Sequence, residues 1–404
     1  MISLNQAHLE IANLPALNPA VIPLDAALGL VCSNDVYAVS SCPSIDSSLK
    51  DGFAVIASDI DGASDTTPVE LSVVGALMAG DGNDSMKVSH GKAIRIMTGA
   101  PLPPGATSIV ASEFTEASGN NVIVRADARV GRNVLFEGRD IAKGQLLVRT
   151  GALLRPTNLG LLASAGIGSL SCYPSPKVAI VATGSELVWP GEHVGPGKIA
   201  ASNMVTAQAE LKRFGILAST HIVRDSLDGL EDYFRDLLGE VDVLITCGGV
   251  LDGDKDLTMK AMERLGMEKI FHRVRIGPGK GACLGQVGRT VVFNLPGGPP
   301  SNHVALTLLA IPGCRKLMGV SNCFPPKRTV VVKEDLFGQK GWTQLTYCRV
   351  DYENGCLAAT PLQSLGRLEA MGKANALVVL PEDCTEVRAG MGATALILDP
   401  NDIS

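Results

Sequence analysis

At 404 residues the chain is long enough for two to four domains rather than one core. Its 46% hydrophobic and 19% charged residues fit a well-packed soluble protein, and 41 acids against 35 bases, a net charge of −6, argue against nonspecific nucleic-acid binding. No apolar run of about 18 residues occurs, which excludes a membrane span, and the opening MISLNQAHLEI has neither the basic region nor the apolar core of a secretory signal.

The predicted elements begin with two short helical patterns, residues 4–14 and 24–28, split by Pro15, Pro19 and Pro23. A polar loop over 41–55 runs into an alternating strand at 53–56. From residue 68 to about 135 the chain is strand-like, with turns such as Gly80-Asp81-Gly82-Asn83, and a small β domain is expected. Within it, residues 95–101 set the hydroxyl of Thr98 beside a Gly-Ala-Pro turn. Beyond Gly138-Arg139-Asp140-Ile141 a helix is predicted over 157–165 with Thr157 as its N-cap, and Pro174 and Pro176 mark a linker.

From Lys177 strand and helix alternate: strand 178–181, a Thr183-Gly184-Ser185-Glu186 turn, helix 203–214, strand 218–223, helix 227–238, strand 241–245. This alternation predicts a parallel, doubly wound sheet, whose sites lie at the carboxyl ends of its strands. The turn at 183–186, Arg224-Asp225 and residues 248–256 all fall at such ends.

The most informative stretch is 241–256, VDVLITCGGVLDGDKD. Gly248 and Gly249 separate an apolar strand from a helical pattern at 257–265, so backbone N–H groups can approach an anion at a helix start. Asp252, Asp254 and Asp256 crowd the same turn and would repel a bare phosphate, which points to an oxyanion handled together with a cation. A calcium loop is rejected because Leu257 stands where that loop needs glycine. The later Gly277-Pro278-Gly279-Lys280-Gly281-Ala282 leads into a strand and not a helix, so it is no dinucleotide fingerprint. Residues 295–301 form another strand-to-helix turn, leading to an apolar helix at 304–309 expected to break near Pro312. After Pro325-Pro326, alternating patterns at 329–333, 376–380 and 393–397 predict a separate small β domain. The ten cysteines show no C-x-x-C or metal-site spacing and read as buried thiols of a reducing cytoplasm.

In this order the motifs resemble the MoeA family, the molybdenum insertion enzymes of molybdopterin cofactor synthesis, related to the E domain of gephyrin. The resemblance rests on Pro43-Ser44-Ile45-Asp46 through Ala54, Met97-Thr98-Gly99-Ala100-Pro101, residues 138–141, Thr183-Gly184-Ser185-Glu186-Leu187 and Arg224-Asp225. It continues through Gly248-Gly249-Val250 to Asp256, Pro278-Gly279-Lys280 and Leu295-Pro296-Gly297. It implies a multidomain fold, α/β plus β. An elongated discontinuous domain would span 1–45 and 139–175, an inserted β domain 46–138, a doubly wound pterin-binding α/β domain 176–322, and a C-terminal β domain 323–404.

The same resemblance implies insertion of molybdate into adenylylated molybdopterin with AMP release, assisted by magnesium. It also implies a cytoplasmic homodimer, other proteins of cofactor synthesis as partners, and a site shared between the pterin domain of one subunit and the β domain of the other. Catalytic positions carried over are Asp51, Thr98, Asp140, Glu186, Asp256, Arg273 and Lys280. Pterin-binding positions are Thr183, Gly184, Asp225, Gly248, Gly249, Val250, Asp256, Pro296 and Gly297, and Glu186, Asp225 and Asp256 are the implied metal ligands. Several family residues are replaced: Ser185 stands for an acid, Leu135 for an arginine, Gly277 for a lysine and Gly298 for an asparagine, while Lys50 and Arg139 add cations beside Asp51 and Asp140. A second expectation follows from those replacements, a catalytically degenerate paralogue that binds molybdopterin without turning it over.

Overall fold

The computed structural model describes residues 1–82, 86–249 and 257–403. The chain forms two compact units, one of residues 21–28 and 34–170, the other of residues 1–20, 29–33 and 171 onward.

In the first unit a six-stranded sheet runs in the order Ser108–Ala111, Gly52–Val55, Lys92–Ile96, Val69–Leu77, Asn121–Val124, Thr115–Ser118. All its pairs are antiparallel except Val69–Leu77 with Lys92–Ile96. Alternate residues feed two cores. Val55, Leu71, Val110 and Val122 pack on one face, and Ala54, Leu77, Ile94 and Ile109 on the other, as the period of two requires. Gly52 has no substitute in this sheet, since a Cβ there would lie 1.9 Å from the Val110 carbonyl oxygen.

The predicted helix over 157–165 forms as Pro156–Ser164, but its N-cap is Arg155 and not Thr157. Pro156 occupies the first helical position, where its missing N–H has no intrahelical partner to lose, and Asn158 Oδ1 accepts from the Arg155 N–H at 3.0 Å. The pattern at 24–28 yields only a 3₁₀ turn, Leu24–Ala26.

The second unit opens with the helix Leu4–Ala12, capped by Ser3 and burying Leu4, Ala7 and Ile11. Its larger sheet has the order Ala218–Val223, Val178–Thr183, Val243–Cys247, Thr290–Leu295, Cys283–Val287, Glu268–His272. The first four strands are parallel, and Cys283–Val287 runs antiparallel to both of its neighbours, so the sheet is mixed where a parallel one was expected. The cause is local: 283–287 and 290–295 are joined through Gly288, a two-residue turn that can only reverse the chain. Val178–Thr183, Val243–Cys247 and Thr290–Leu295 are buried at every position, as strands covered on both faces must be.

Pro312 does not end its helix. Pro299–Ala305 continues through a π turn, Leu306–Ala310, into Ile311–Leu317. Pro312 sits in the first turn of the last segment, and the wider π spacing absorbs the bond its missing N–H would have made.

The C-terminal strands Thr343–Glu353, Cys356–Pro361, Lys327–Val332, Gly392–Ile397 and Ala376–Leu380 pair in turn, and the last pairs back with the first, closing a barrel. Its interior holds Val330, Val332, Cys348, Val350, Ala359, Val378 and Ala395. A short strand from the α/β part, Ile276–Gly277, adds to the barrel in parallel with Thr343 and Gln344. Seven of the ten cysteines are buried as expected; Cys42 and Cys384 are half-buried and Cys356 is exposed.

Candidate active site

The four parallel strands end side by side, and their following turns build one concave edge. Val178–Thr183 ends in Thr183 and Gly184, Ala218–Val223 leads to Asp225, Val243–Cys247 to Gly248 and Gly249, and Thr290–Leu295 to Pro296 and Gly297. Gly248 and Gly249 have φ of 115° and 65°, in the region that L side chains avoid. A Cβ on Gly248 would sit 3.0 Å from the Thr183 carbonyl oxygen, and one on Gly249 would sit 2.5 Å from Thr258 Oγ1. These glycines are thus demanded by backbone shape and by close packing together. Thr183 and Thr258, both buried, hydrogen-bond through their hydroxyls at 3.1 Å and fix the floor beneath the turn.

A cavity of about 250 Å³ opens over this floor, lined among others by Thr183, Glu186, Asn203, Asp225, Gly248, Gly249 and Gly297. Glu186 folds back over Gly184, where a Cβ would meet its carboxylate oxygens at 2.8 Å. Asp225 is tied to the neighbouring turn by a reciprocal pair: Ser185 N–H donates to Asp225 Oδ2, and Asp225 N–H donates to Ser185 Oγ, each at 3.3 Å. An acid at 185, which the sequence resemblance implies for the family, would stand here against Asp225, like charge to like charge. Lys198 closes the turn from outside, its Nζ donating to Ser185 O at 2.8 Å. Asn203 Nδ2 donates to Gly297 O at 2.8 Å and Asn302 Nδ2 to Pro296 O at 2.9 Å, which anchor the fourth turn.

A second cavity, about 710 Å³, shares Gly249 and Gly297 with the first. It is lined by the loop Gly277-Pro278-Gly279-Lys280-Gly281, by Ser301, and by Gln339, Trp342 and Gln344 of the barrel region. The loop is closed on itself by Arg273 N–H to Ala282 O at 2.9 Å and Val274 N–H to Lys280 O at 3.0 Å. Lys280 carries its ammonium 5.4 Å from the centre of the Trp342 ring. Gln344 fills the space a side chain at 277 would need, since a Cβ on Gly277 would lie 2.6 Å from Gln344 Oε1.

The structure therefore gathers Thr183, Glu186, Asp225, Gly248, Gly249, Pro296, Gly297 and Lys280 around two adjoining cavities. Gly184 lines neither cavity and lies beneath the Glu186 carboxylate. Arg273, at φ 66°, shapes the loop through its backbone and lines neither cavity. Val250 and Asp256 lie outside the described residues, as do the acids at 252 and 254. Among the described residues no group of three metal-ligating side chains forms.

Asp51, Thr98 and Asp140 belong to the other unit. There Asp51 Oδ1 accepts from the Thr98 N–H at 2.7 Å and the Thr98 hydroxyl at 2.8 Å, and these bonds hold its carboxyl below the ordinary range. Ser47–Ser48 pairs with Val134–Leu135, and Asp46 Oδ1 accepts from Glu137 N–H at 2.8 Å. These contacts bring the stretches 46–51, 97–101 and 133–140 into one patch, with Asp140 exposed at its end.

Sequence reasoning missed Asn203, Lys198, Gln339, Trp342 and Gln344. Only the first two had a signal within reach, since they lie in the same connection as the Thr183 turn. The three barrel residues sit 60 or so positions beyond Lys280 in sequence and reach it only through the pairing of Ile276–Gly277 with Thr343 and Gln344.

Comparison with known proteins agrees with this fold. Residues 2–166 match the MoeA N-terminal region (domain I and II), 179–316 a probable molybdopterin binding domain, and 329–398 the MoeA C-terminal region (domain IV). The chain is 34% identical to molybdopterin molybdenumtransferase 2 of Mycobacterium tuberculosis over 381 residues, 93% of this chain and 94% of that protein. It is 28% identical to the molybdopterin molybdenumtransferase of Staphylococcus epidermidis over 397 residues, 98% of this chain and 93% of that one. The crystal structure of the molybdopterin biosynthesis MoeA protein from Pyrococcus horikoshii is similar at a TM-score of 0.83 and 28% identity, covering 99% of both chains. With a relative one-third identical along nearly its whole length and three matching regions in family order, this chain belongs to the MoeA family of molybdopterin molybdenumtransferases.

Proposed function

We propose that this protein is an enzyme of molybdenum cofactor synthesis that inserts molybdate into adenylylated molybdopterin and releases AMP. One observation carries the reading at the level of this chain: two cavities of opposite character meet on shared glycines. The smaller is lined by the carboxylates of Glu186 and Asp225, the larger by the ammonium of Lys280 with no carboxylate among its described residues. A pterin bearing a pyrophosphate and a separate oxyanion need that division. The N–H-rich turn at Gly248 and Gly249 suits the phosphate, and Lys280 with the Ser301 hydroxyl suits molybdate.

In this reading Asp225 and Thr183 orient the pterin, and Gly297 lets its backbone come close. Glu186 and Asp225 are hard oxygen donors on one cavity wall, and they fit a magnesium ion that keeps most of its water. Such an ion would supply charge neutralisation at the pyrophosphate. Asp256 is assigned the same role by resemblance alone. Asp51, Thr98 and Asp140 are read as completing the site of a second copy, so the working form is a cytoplasmic homodimer. The degenerate-paralogue alternative is not favoured, because the relatives matched along nearly the full length bear the transferase name.

The test is cofactor formation from adenylylated molybdopterin, molybdate and magnesium, with AMP followed by chromatography. Removing the cation in Lys280→Met should lower turnover about 10²- to 10³-fold, as for loss of one oxyanion donor. Absence of AMP release by the wild type under conditions where the pterin binds would overturn the proposal.

A further inference from the structure

The larger cavity has one charged wall residue among those described, Lys280, and that lysine is exposed on a flexible stem. Some exposed lysines of the structure are held by acids, as Lys269 is by Glu263 at 2.6 Å and Lys373 by Glu369 at 2.7 Å. Such a partner fixes an ammonium but neutralises it. Lys280 instead lies 5.4 Å from the centre of the Trp342 ring. The negative face of an indole attracts an ammonium without bringing a formal charge, so the cation stays available to an anion.

The ring itself is well held. Trp342 is half-buried and precedes Thr343, whose N–H donates to Arg275 O at 3.0 Å. The same junction pairs Ile276 and Gly277 with Thr343 and Gln344. The Lys280 loop and the Trp342 ring are therefore two ends of one short sheet contact, and their spacing is set by backbone pairing.

We propose that Trp342 is a positioning residue for the molybdate step, holding the Lys280 ammonium over the larger cavity while bringing no formal charge of its own against it. This rests on the assignment of that cavity to the oxyanion. An exposed cation–π contact is worth a modest amount, so its removal should weaken molybdate binding about two- to five-fold, with kcat at saturating molybdate retained.

The chain has two tryptophans, and the other, Trp189, lies outside this cavity, so a Trp189→Phe background makes Trp342 the sole indole reporter. In that background molybdate titration should change the Trp342 emission, and Lys280→Met should abolish the change. In the wild-type background Trp342→Leu should raise KM for molybdate two- to five-fold, and Trp342→Phe, which keeps a ring face, should restore most of it. The Trp342→Leu effect should vanish when Lys280→Met is already present. Thermal unfolding of each variant, and the Phe variant in particular, separates these effects from loss of fold. Loss of molybdate binding in Lys280→Met together with wild-type KM in Trp342→Leu would overturn the positioning role while leaving the cavity assignment standing. Unchanged molybdate binding in Lys280→Met would overturn both.

Discussion

Placing at position 277 the lysine that the sequence resemblance implies there is the sharpest perturbation the structure offers. Gly277 is not in the left-handed region, so its backbone accepts a side chain. What stands in the way is the Gln344 amide, whose Oε1 lies 2.6 Å, and whose Cδ and Nε2 lie 3.1 Å, from where a Cβ would stand. That amide is the far end of a flexible side chain and can turn aside at a rotamer cost of about 0.5–1.5 kcal/mol. Removing a glycine returns about 0.4–1 kcal/mol by restricting the unfolded chain. Gly277→Lys should therefore change stability by no more than about 1 kcal/mol. A new ammonium about 6 Å from a bound oxyanion would add roughly 0.7–3 kcal/mol between the limits of water and a partly buried site. The open cavity favours the lower end, so molybdate should bind about three- to ten-fold tighter. The gain should shrink at about 1 M salt, where the screening length falls to about 3 Å. Equilibrium dialysis with molybdate at low and high salt reads the affinity, and urea unfolding reads the stability. Equal affinity at low salt, or a stability loss beyond about 3 kcal/mol, would refute the idea that Gln344 merely occupies vacated space.

Three further outcomes are expected. Gly249→Ala forces a Cβ into a left-handed backbone and 2.5 Å from Thr258 Oγ1, so it should cost about 2–3 kcal/mol, strain plus the lost Thr183–Thr258 bond, and weaken pterin binding; a variant with wild-type melting and binding would contradict the cradle geometry. His8 is held down to about 4 chiefly by burial, against a hydrogen bond with the Leu308 backbone and helped by Lys327, and its ring lies 4.2 Å from Phe324. Its folded value is below the unfolded 6.5, so its stability contribution is complete above pH 6.5 and falls as pH drops toward 4, by up to about 3 kcal/mol; His8→Phe should flatten that slope in urea melts taken from pH 7 to 4. Burial pushes the Cys172 and Cys247 thiols up to about 11 and those of Cys283, Cys314 and Cys348 to about 12, so a maleimide at pH 7.5 should label exposed Cys356 first, and Cys356→Ser should remove that fast phase.

Sequence alone determined the alternating elements from Lys177 onward, the strand Ala218–Val223 and the helix Leu227–Leu238 to the residue, and the positions of the four turns that face the site. It could do so because each rests on local chemistry: buried β-branched runs, amphipathic helical spacing, and glycines where the chain must turn sharply. Tertiary structure decided the rest. The antiparallel edge of the sheet follows from which strand found a partner, and Pro312 is tolerated because a π turn precedes it. Ser185 reads in sequence as a lost acid, and in space as half of a reciprocal bond with Asp225. Gly277 reads as a lost lysine, and in space as room for Gln344; Trp342 gives no local signal at all until barrel pairing carries it to Lys280. Contacts between residues some 60 positions apart depend on loop closure and on the packing of whole elements, and no window of sequence short enough to show periodicity contains them.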